Sequence, residues 1–312
     1  MHDFKVASGR SNKVLAEKVA SQLGIELSAT TIQNFSDGEI WVKFEENVRG
    51  VDLFLIQPTY APSENLMELL IMIDAAKRAS AKRVTAVIPY YGYARQDRKD
   101  QPRVSVTAKL IANLITRAGA DRIITVDLHS SQIQGFFDIP LDHLYASPVL
   151  LRAIKKLKLD NIAVASPDVG GIKTARSYAQ KLDADLILVD KRRPKHNQAN
   201  IVNIIGDPKD KNIIIVDDMI DTGTTFVKCA EAIKEKGALN IIGITVHPVF
   251  SGAALEKIEN SKAIDKLFVT DTIPLARNID KIEVVSVAEL LSEAIIRTHD
   301  NRSISSLFEI ER

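Results

Sequence analysis

The sequence predicts an α/β protein of two tandem domains, each a mostly parallel sheet flanked by helices. Three observations predict it. Short apolar, β-branched runs recur along the chain, amphipathic segments separate them, and the alternation runs through twice. The runs are near-continuously hydrophobic rather than alternating, as strands buried on both faces of a parallel sheet must be.

In chain order, the strand candidates of the first half are Asp52–Gln57, Arg83–Ile88 and Arg122–Asp127, with helical patterns at Asn65–Ala79 and Thr107–Ala118. The joint falls near Ala146-Ser147-Pro148, where Ser147 precedes a proline and is expected to cap the next helix. The second half alternates the helix Pro148–Lys156, strand Ile162–Ala165, helix Gly171–Lys181, strands Leu186–Val189 and Asn212–Val216, helix Thr225–Lys236, and strands Ile241–His247 and Leu267–Thr270. The expected domains are therefore 1–145 and 146–286. A C-terminal helix over 287–312, its pattern clearest at Val287–His299, is expected to pack back on the first domain.

Composition narrows the function classes. The chain has 312 residues, 46% hydrophobic and 26% charged, as an ordinary globular protein does. Its 41 Lys and Arg against 40 Asp and Glu leave a net charge of +1, which gives no bulk attraction to nucleic acid or an anionic membrane. The one cysteine, Cys229, forms no intrachain disulfide; this fits a reducing cytoplasm, and the thiol is expected in the core. Met1–Lys5 does not begin a basic stretch followed by an apolar segment, so no signal peptide is expected. No apolar run approaches the roughly 18–20 residues of a membrane span.

The strongest local signal is Ile213-Ile214-Ile215-Val216-Asp217-Asp218-Met219-Ile220-Asp221-Thr222-Gly223-Thr224-Thr225. A buried strand ends in two acids, and a glycine–threonine loop then enters a helix. Ligands of open α/β sheets bind beyond the carboxyl ends of strands. Backbone N–H groups at the helix start and the threonine hydroxyls suit a phosphate, and Gly223 permits close approach. Asp217 and Asp218 can accept from two neighbouring sugar hydroxyls. Two other readings compete: acids after a strand also cap helices, and Asp-Thr-Gly also occurs in aspartic proteases, although this chain has one such triplet and no partner carboxylate loop. The run resembles the loop of the type I phosphoribosyltransferase fold that binds phosphoribosyl pyrophosphate (PRPP).

Further strings, spread over nearly the whole chain, resemble the ribose-phosphate pyrophosphokinase family. They are Phe35-Ser36-Asp37-Gly38-Glu39, Val48-Arg49-Gly50, Tyr93-Ala94-Arg95-Gln96-Asp97-Arg98-Lys99, Asp127-Leu128-His129, Gln132–Asp138, Ser166-Pro167-Asp168-Val169-Gly170-Gly171, Asp190-Lys191-Arg192-Arg193 and Ser303–Phe308. The chain has no Gly-x4-Gly-Lys-Ser/Thr or Gly-x-Gly-x-x-Gly string, so a nucleotide would be held without a P-loop.

The resemblance implies two type I phosphoribosyltransferase folds in tandem, and transfer of the pyrophosphoryl group of ATP to the anomeric hydroxyl of ribose 5-phosphate, giving PRPP and AMP. It implies that Arg95 and Gln96 hold ATP, and that Phe35, Asp37, Gly38 and Glu39 reach the adenine of an adjacent subunit's ATP. It places Asp217, Asp218, Asp221, Thr222, Gly223, Thr224, Thr225 and Arg193 at ribose 5-phosphate, with Lys191 and Arg193 closing over the reacting phosphates. His129 and Asp168 become ligands of Mg2+; strand alternation would put Asp127 and His129 on one face. A homo-oligomer, commonly a hexamer, is implied, with inorganic phosphate as activator and ADP as inhibitor. Arg49, Ser80, Arg103, Ser303 and Ser305 stand where a regulatory phosphate-like site is expected. At position 224 this chain has Thr where the family usually has Gly. The rival readings are a PRPP-consuming phosphoribosyltransferase and a catalytically silent regulatory homologue.

Overall fold

The computed structural model describes residues 4–192 and 201–308. The chain forms two compact units, one drawn from 1–146, 272–274 and 286–312 and the other from 147–271 and 275–285.

The first unit runs β1 (Phe4–Ser8), α1 (Lys13–Leu23), β2 (Thr30–Asn34), β3 (Ile40–Phe44), β4 (Asp52–Ile56), α2 (Glu64–Arg78), β5 (Arg83–Ile88), α3 (Thr107–Ala118), β6 (Arg122–Val126) and β7 (Leu141–Leu144). Five strands form a parallel sheet in the order β1-β4-β5-β6-β7. Every residue of β4 is buried, as a central strand covered on both faces requires. β2 and β3 make a separate antiparallel hairpin, whose tip is Phe35–Glu39. Helix α1 starts where the Asn12 side chain accepts from the Leu15 N–H at 3.2 Å, and ends at Gly24 in the left-handed region, φ +66°.

The second unit runs α4 (Ser147–Lys155), β8 (Ile162–Ser166), α5 (Ile172–Leu182), β9 (Asp185–Arg192), β10 (Ile201–Ile205), β11 (Asn212–Ile220), α6 (Thr224–Glu235), β12 (Asn240–Pro248), α7 (Ala254–Asn260), β13 (Lys266–Thr270) and β14 (Ile282–Val285). Its seven strands lie in the order β10-β9-β8-β11-β12-β13-β14, parallel except for β10 against β9. Ile213, Ile214 and Ile215 are completely buried, and Cys229, on the buried face of α6, packs in one core with Ile213 and Ile215. β8 has β9 on one side and β11 on the other, so the strand order reverses there. The carboxyl ends of β8 and β11, neighbours in register from Ile162 and Asn212, open the crevice in which such sheets bind ligands.

The chain then returns to the first unit as α8 (Ala288–His299), which lies against α1, and α9 (Ser305–Phe308). These are two helices where the sequence suggested one over 287–312. The break is a left-handed Asn301, φ +55°, with the Arg302 N–H closing on the Arg297 carbonyl at 2.8 Å. Ser147 likewise departs from expectation. It is the first residue of α4 rather than its cap, and its buried Oγ has no hydrogen-bond partner among the described residues.

α8 is fastened by a buried carboxylate. Asp52 at the start of β4 accepts from Arg83 Nε at 2.8 Å and lies 3.0 Å from His299 Nδ1, while Arg83 Nη2 donates to the Thr298 carbonyl at 3.0 Å. Replacing Asp52 by Ala strands a guanidinium that water reaches only in part. A loss of about 2–3 kcal/mol is expected, at the lower end for a broken buried pair because Arg83 keeps some solvent. Urea titration of the two proteins measures it, and a midpoint unchanged within error would contradict the account.

Candidate active site

The phosphate-loop candidate is built at the end of β11. The strand enters Asp217 and Asp218, whose carboxylates turn back on the chain. Asp217 Oδ1 accepts the Asp218 N–H at 3.0 Å, and Asp218 Oδ1 accepts the Met219 N–H at 2.9 Å. Burial, reinforced by the negative charges of Asp218 and Asp168, pushes the Asp217 carboxyl up to about 8. Gly223 then takes φ +72°, a turn that favours glycine, and leads into α6. The first bond within the helix is Val227 N–H to Gly223 carbonyl at 2.9 Å, so the N–H groups before it lie in the turn a helix offers to an anion.

This loop is braced from the segment after β12. Phe250 N–H donates to the Ile220 carbonyl at 3.0 Å and Ser251 N–H to the Asp221 carbonyl at 3.1 Å. Ser251 Oγ donates to the Asp221 carboxylate. Asp221 thus takes part in holding the loop's shape; a carboxylate would gain nothing from touching a phosphate. Lys257 on α7 donates from Nζ to the Thr222 carbonyl at 3.1 Å and to Thr224 Oγ1 at 2.8 Å. Neither Ser251 nor Lys257 carries a local sequence signal, since each meets the loop from about 30 residues away or more.

Asp168 follows β8 in a glycine turn. Its Oδ1 accepts the Gly171 N–H at 2.9 Å, and Ser166 Oγ donates to the Asp168 carbonyl at 2.6 Å. A Cβ at Gly171 would stand 2.7 Å from Ser166 Oγ, so the turn is closed to larger residues. The backbone of Lys191 pairs with Val202 in the β9–β10 ladder, its side chain lying outside the described residues, as Arg193 does entirely.

In the first unit, Phe35–Glu39 is a hairpin tip stiffened by its own bonds. Phe35 N–H donates to the Glu39 carbonyl at 2.8 Å and Glu39 N–H to Asp37 Oδ1 at 3.0 Å, with Gly38 at φ +96°. Phe35 is 53% exposed, a large apolar residue held out on a hydrogen-bonded turn. Arg95 and Gln96 are exposed beyond β5. The chain reaches them through Gly92, where a Cβ would lie 2.0 Å from the Thr59 carbonyl oxygen, and through Tyr93 at φ +62°. The Thr107 hydroxyl donates to the Gln96 side-chain oxygen, a partner the sequence did not suggest.

The alternation expected for Asp127 and His129 does not hold. β6 ends at Val126 and Asp127 turns to φ +38°, so the period-two argument stops one residue early. Asp127 Oδ2 instead accepts the Ala146 N–H at 2.7 Å. His129 is exposed, and the backbone before it is held by a residue the sequence reading passed over: the buried His143 accepts the Leu128 N–H at Nε2, 2.9 Å. Of the regulatory candidates, Arg49 and Ser80 lie in two turns that meet, where Gly50 N–H donates to the Ser80 carbonyl at 2.9 Å. Ser303 and Ser305 share another, with Ser305 N–H on Ser303 Oγ at 3.2 Å. Arg103 is exposed in a loop of its own.

A strand–acid pair–glycine loop–helix at the reversal of a parallel sheet defines a protein of the type I phosphoribosyltransferase fold. Family models narrow this: the N-terminal domain of ribose phosphate pyrophosphokinase matches residues 4–119, and the phosphoribosyl synthetase-associated domain matches residues 187–309. The chain is 57% identical over 308 residues to the ribose-phosphate pyrophosphokinase of Chlorobaculum tepidum, covering 98% of this chain and 95% of the relative. It is 53% identical to that of Wolinella succinogenes, covering 99% and 100%. The crystal structure of phosphoribosylpyrophosphate synthetase from Mycobacterium smegmatis superposes with a TM-score of 0.90 at 39% identity, over 96% of this chain and 99% of that one. The chain belongs to the ribose-phosphate pyrophosphokinase family.

Proposed function

We propose that this chain is a ribose-phosphate pyrophosphokinase, moving the pyrophosphoryl group of ATP onto the anomeric hydroxyl of ribose 5-phosphate. The observation that carries the reading is the phosphate loop at the end of β11, in a chain 57% identical to a family member over 98% of its length. Asp217 and Asp218 hold the ribose hydroxyls, and the Asp221–Thr225 loop holds the 5-phosphate. Phe35, Asp37, Gly38 and Glu39 hold the adenine, with Arg95 and Gln96 on the nucleotide and its phosphates. A protruding Phe35 supports a stacking role toward another subunit's nucleotide, and with it a homo-oligomer.

The anomeric oxygen attacks the β-phosphorus and AMP departs. The developing charge spreads over phosphate oxygens, so positioning and cations do the work and no covalent enzyme intermediate is needed. Lys191 and Arg193 are the cations assigned to it. His129 and Asp168 are assigned to Mg2+. Among the described residues no group of three His, Cys, Asp or Glu could hold an ion by itself. Mg2+ takes one or two protein ligands and completes its shell with water and substrate phosphates, which a His and an Asp allow. Bound there, the ion would neutralise phosphate charge.

Inorganic phosphate as activator and ADP as inhibitor are part of the proposal, with Arg49, Ser80, Arg103, Ser303 and Ser305 the residues assigned to a regulatory site. No helix among the described residues is long and apolar enough to cross a membrane; a cytoplasmic place and a hexamer are part of the proposal. The test is AMP release from ATP with Mg2+ and inorganic phosphate, with and without ribose 5-phosphate. AMP is expected only with the sugar phosphate. No AMP at any phosphate concentration would put the silent homologue or a phosphoribosyltransferase in its place.

A further inference from the structure

The loop Asp221–Thr225 contains no basic residue, yet it is assigned a doubly charged phosphate. Its one acid, Asp221, accepts from Ser251. The Thr222 carbonyl oxygen adds a second centre of negative charge at the loop. Both problems meet at α7. Lys257 sits one turn into that helix, its backbone N–H donating to the Ala253 carbonyl at 3.0 Å, and its ammonium reaches the loop at two points, Thr222 O at 3.1 Å and Thr224 Oγ1 at 2.8 Å.

We propose that Lys257 is a positioning residue for the sugar phosphate: its bonds to Thr222 and Thr224 hold the loop open to the 5-phosphate and supply the positive charge the loop lacks. The inference rests on the assignment of this loop to ribose 5-phosphate. Its physical basis is threefold. The ammonium takes up the Thr222 carbonyl, which would otherwise repel the incoming phosphate. A cation one hydrogen bond from the loop raises the potential where the anion settles. The α7 backbone also comes close enough to fix the turn itself, since a Cβ built on Gly223 would lie 3.4 Å from the Ala254 carbonyl oxygen.

The proposal gives Thr224 a role. A glycine at 224 would leave the lysine one partner on the loop instead of two. The threonine hydroxyl accepts from Lys257, so Thr224 is the lysine's second anchor. Lys257 and Thr224 should therefore behave as a unit.

The experiment measures ribose 5-phosphate binding by calorimetry, and steady-state AMP release, for the full-length protein and for Lys257→Met, Lys257→Arg, Thr224→Val, Thr224→Ser and the double variant Lys257→Met/Thr224→Val. Lys257→Met is expected to weaken ribose 5-phosphate binding and raise its KM about tenfold, the scale of one lost charge-assisted contact. Its kcat and its KM for ATP should hold, as should its thermal midpoint. Lys257→Arg and Thr224→Ser should recover most of the loss, and the double variant should bind no more weakly than Lys257→Met alone. Unchanged ribose 5-phosphate binding in Lys257→Met, with the wild type binding normally, overturns the proposal and leaves the assigned function standing. So does a loss that appears equally in kcat and both KM values, which is the mark of general disruption. A wild type that binds no ribose 5-phosphate overturns the loop assignment and this proposal together.

Discussion

Replacing Asp217 by Asn is expected to make the metal-free protein more stable at pH 7 by about 2–4 kcal/mol while reducing AMP release at least about a hundredfold. The Asp217 carboxyl is pushed up to about 8 by burial and by the neighbouring charges of Asp218 and Asp168, from an ordinary value near 3.8. Between those two values the folded protein holds a proton that the unfolded chain releases. Stability therefore falls as pH rises from about 4 through about 8, and it is flat beyond. Asn carries no such proton and removes one of three crowded acids. The full shift would give more than the stated gain, but Asp217 is only partly covered from solvent, which lowers it. Denaturant titrations at pH 5, 7 and 9 should show wild-type stability dropping across the series and the variant losing less. The loss of activity follows from the proposed assignment of Asp217 to the ribose hydroxyls: an amide offers one acceptor oxygen where a carboxyl group offers two. A variant less stable than wild type at pH 9 would mean that Asp217 is not held against its charge.

Lys191→Ala is expected to lower kcat at least about a hundredfold, with a smaller change in the KM for ribose 5-phosphate. Pyrophosphoryl transfer gathers negative charge on the phosphate oxygens and on departing AMP, and a cation fixed in a water-poor site counts most there. A hundredfold corresponds to about 3 kcal/mol of transition-state stabilisation, within what one well-placed charge supplies. Lys191 lies near the end of β9, in a ladder with β10. A strand is a firmer base than a free loop for a charge that must be in place when the bond breaks. Single-turnover AMP formation is the clean measurement. A rate within threefold of wild type would move the catalytic charge to another residue.

The parallel sheets were legible because their signal is local. Ile213–Val216 or Arg83–Ile88 can hardly be anything but a buried strand, and α3 begins and ends where its periodicity does. The β2–β3 hairpin was passed over, although Ser36-Asp37-Gly38 between two β-branched runs is a hairpin signal. Its strands are only partly buried, so their hydrophobicity is weak. β1, β7, β10 and β14 are the edge strands of the two sheets, and a polar or charged residue interrupts each run, so none reads as a continuous apolar strand. At the site, the loop residues were readable as types at fixed offsets. What braces them was not: His143 under Leu128, Ser251 on Asp221 and Lys257 on Thr224 are contacts across 15 to 33 residues. Nothing in a local pattern encodes such a meeting. The misplaced expectation for Asp127 has the same origin, since a single positive φ ends the regularity on which the reading depended.

The first unit draws on both ends of the chain, and the Asp52–His299 contact joins residues 247 apart. During synthesis this inverts the usual order, in which the amino-terminal domain folds first. A chain that ends near residue 285 carries the segments of the second unit but lacks α8, the helix that lies against α1 in the first. The amino-terminal sheet must wait, with apolar surface uncovered, for the last residues to be made. A premature stop near residue 285 would thus release a chain with a complete carboxyl-terminal unit and an unfinished amino-terminal one.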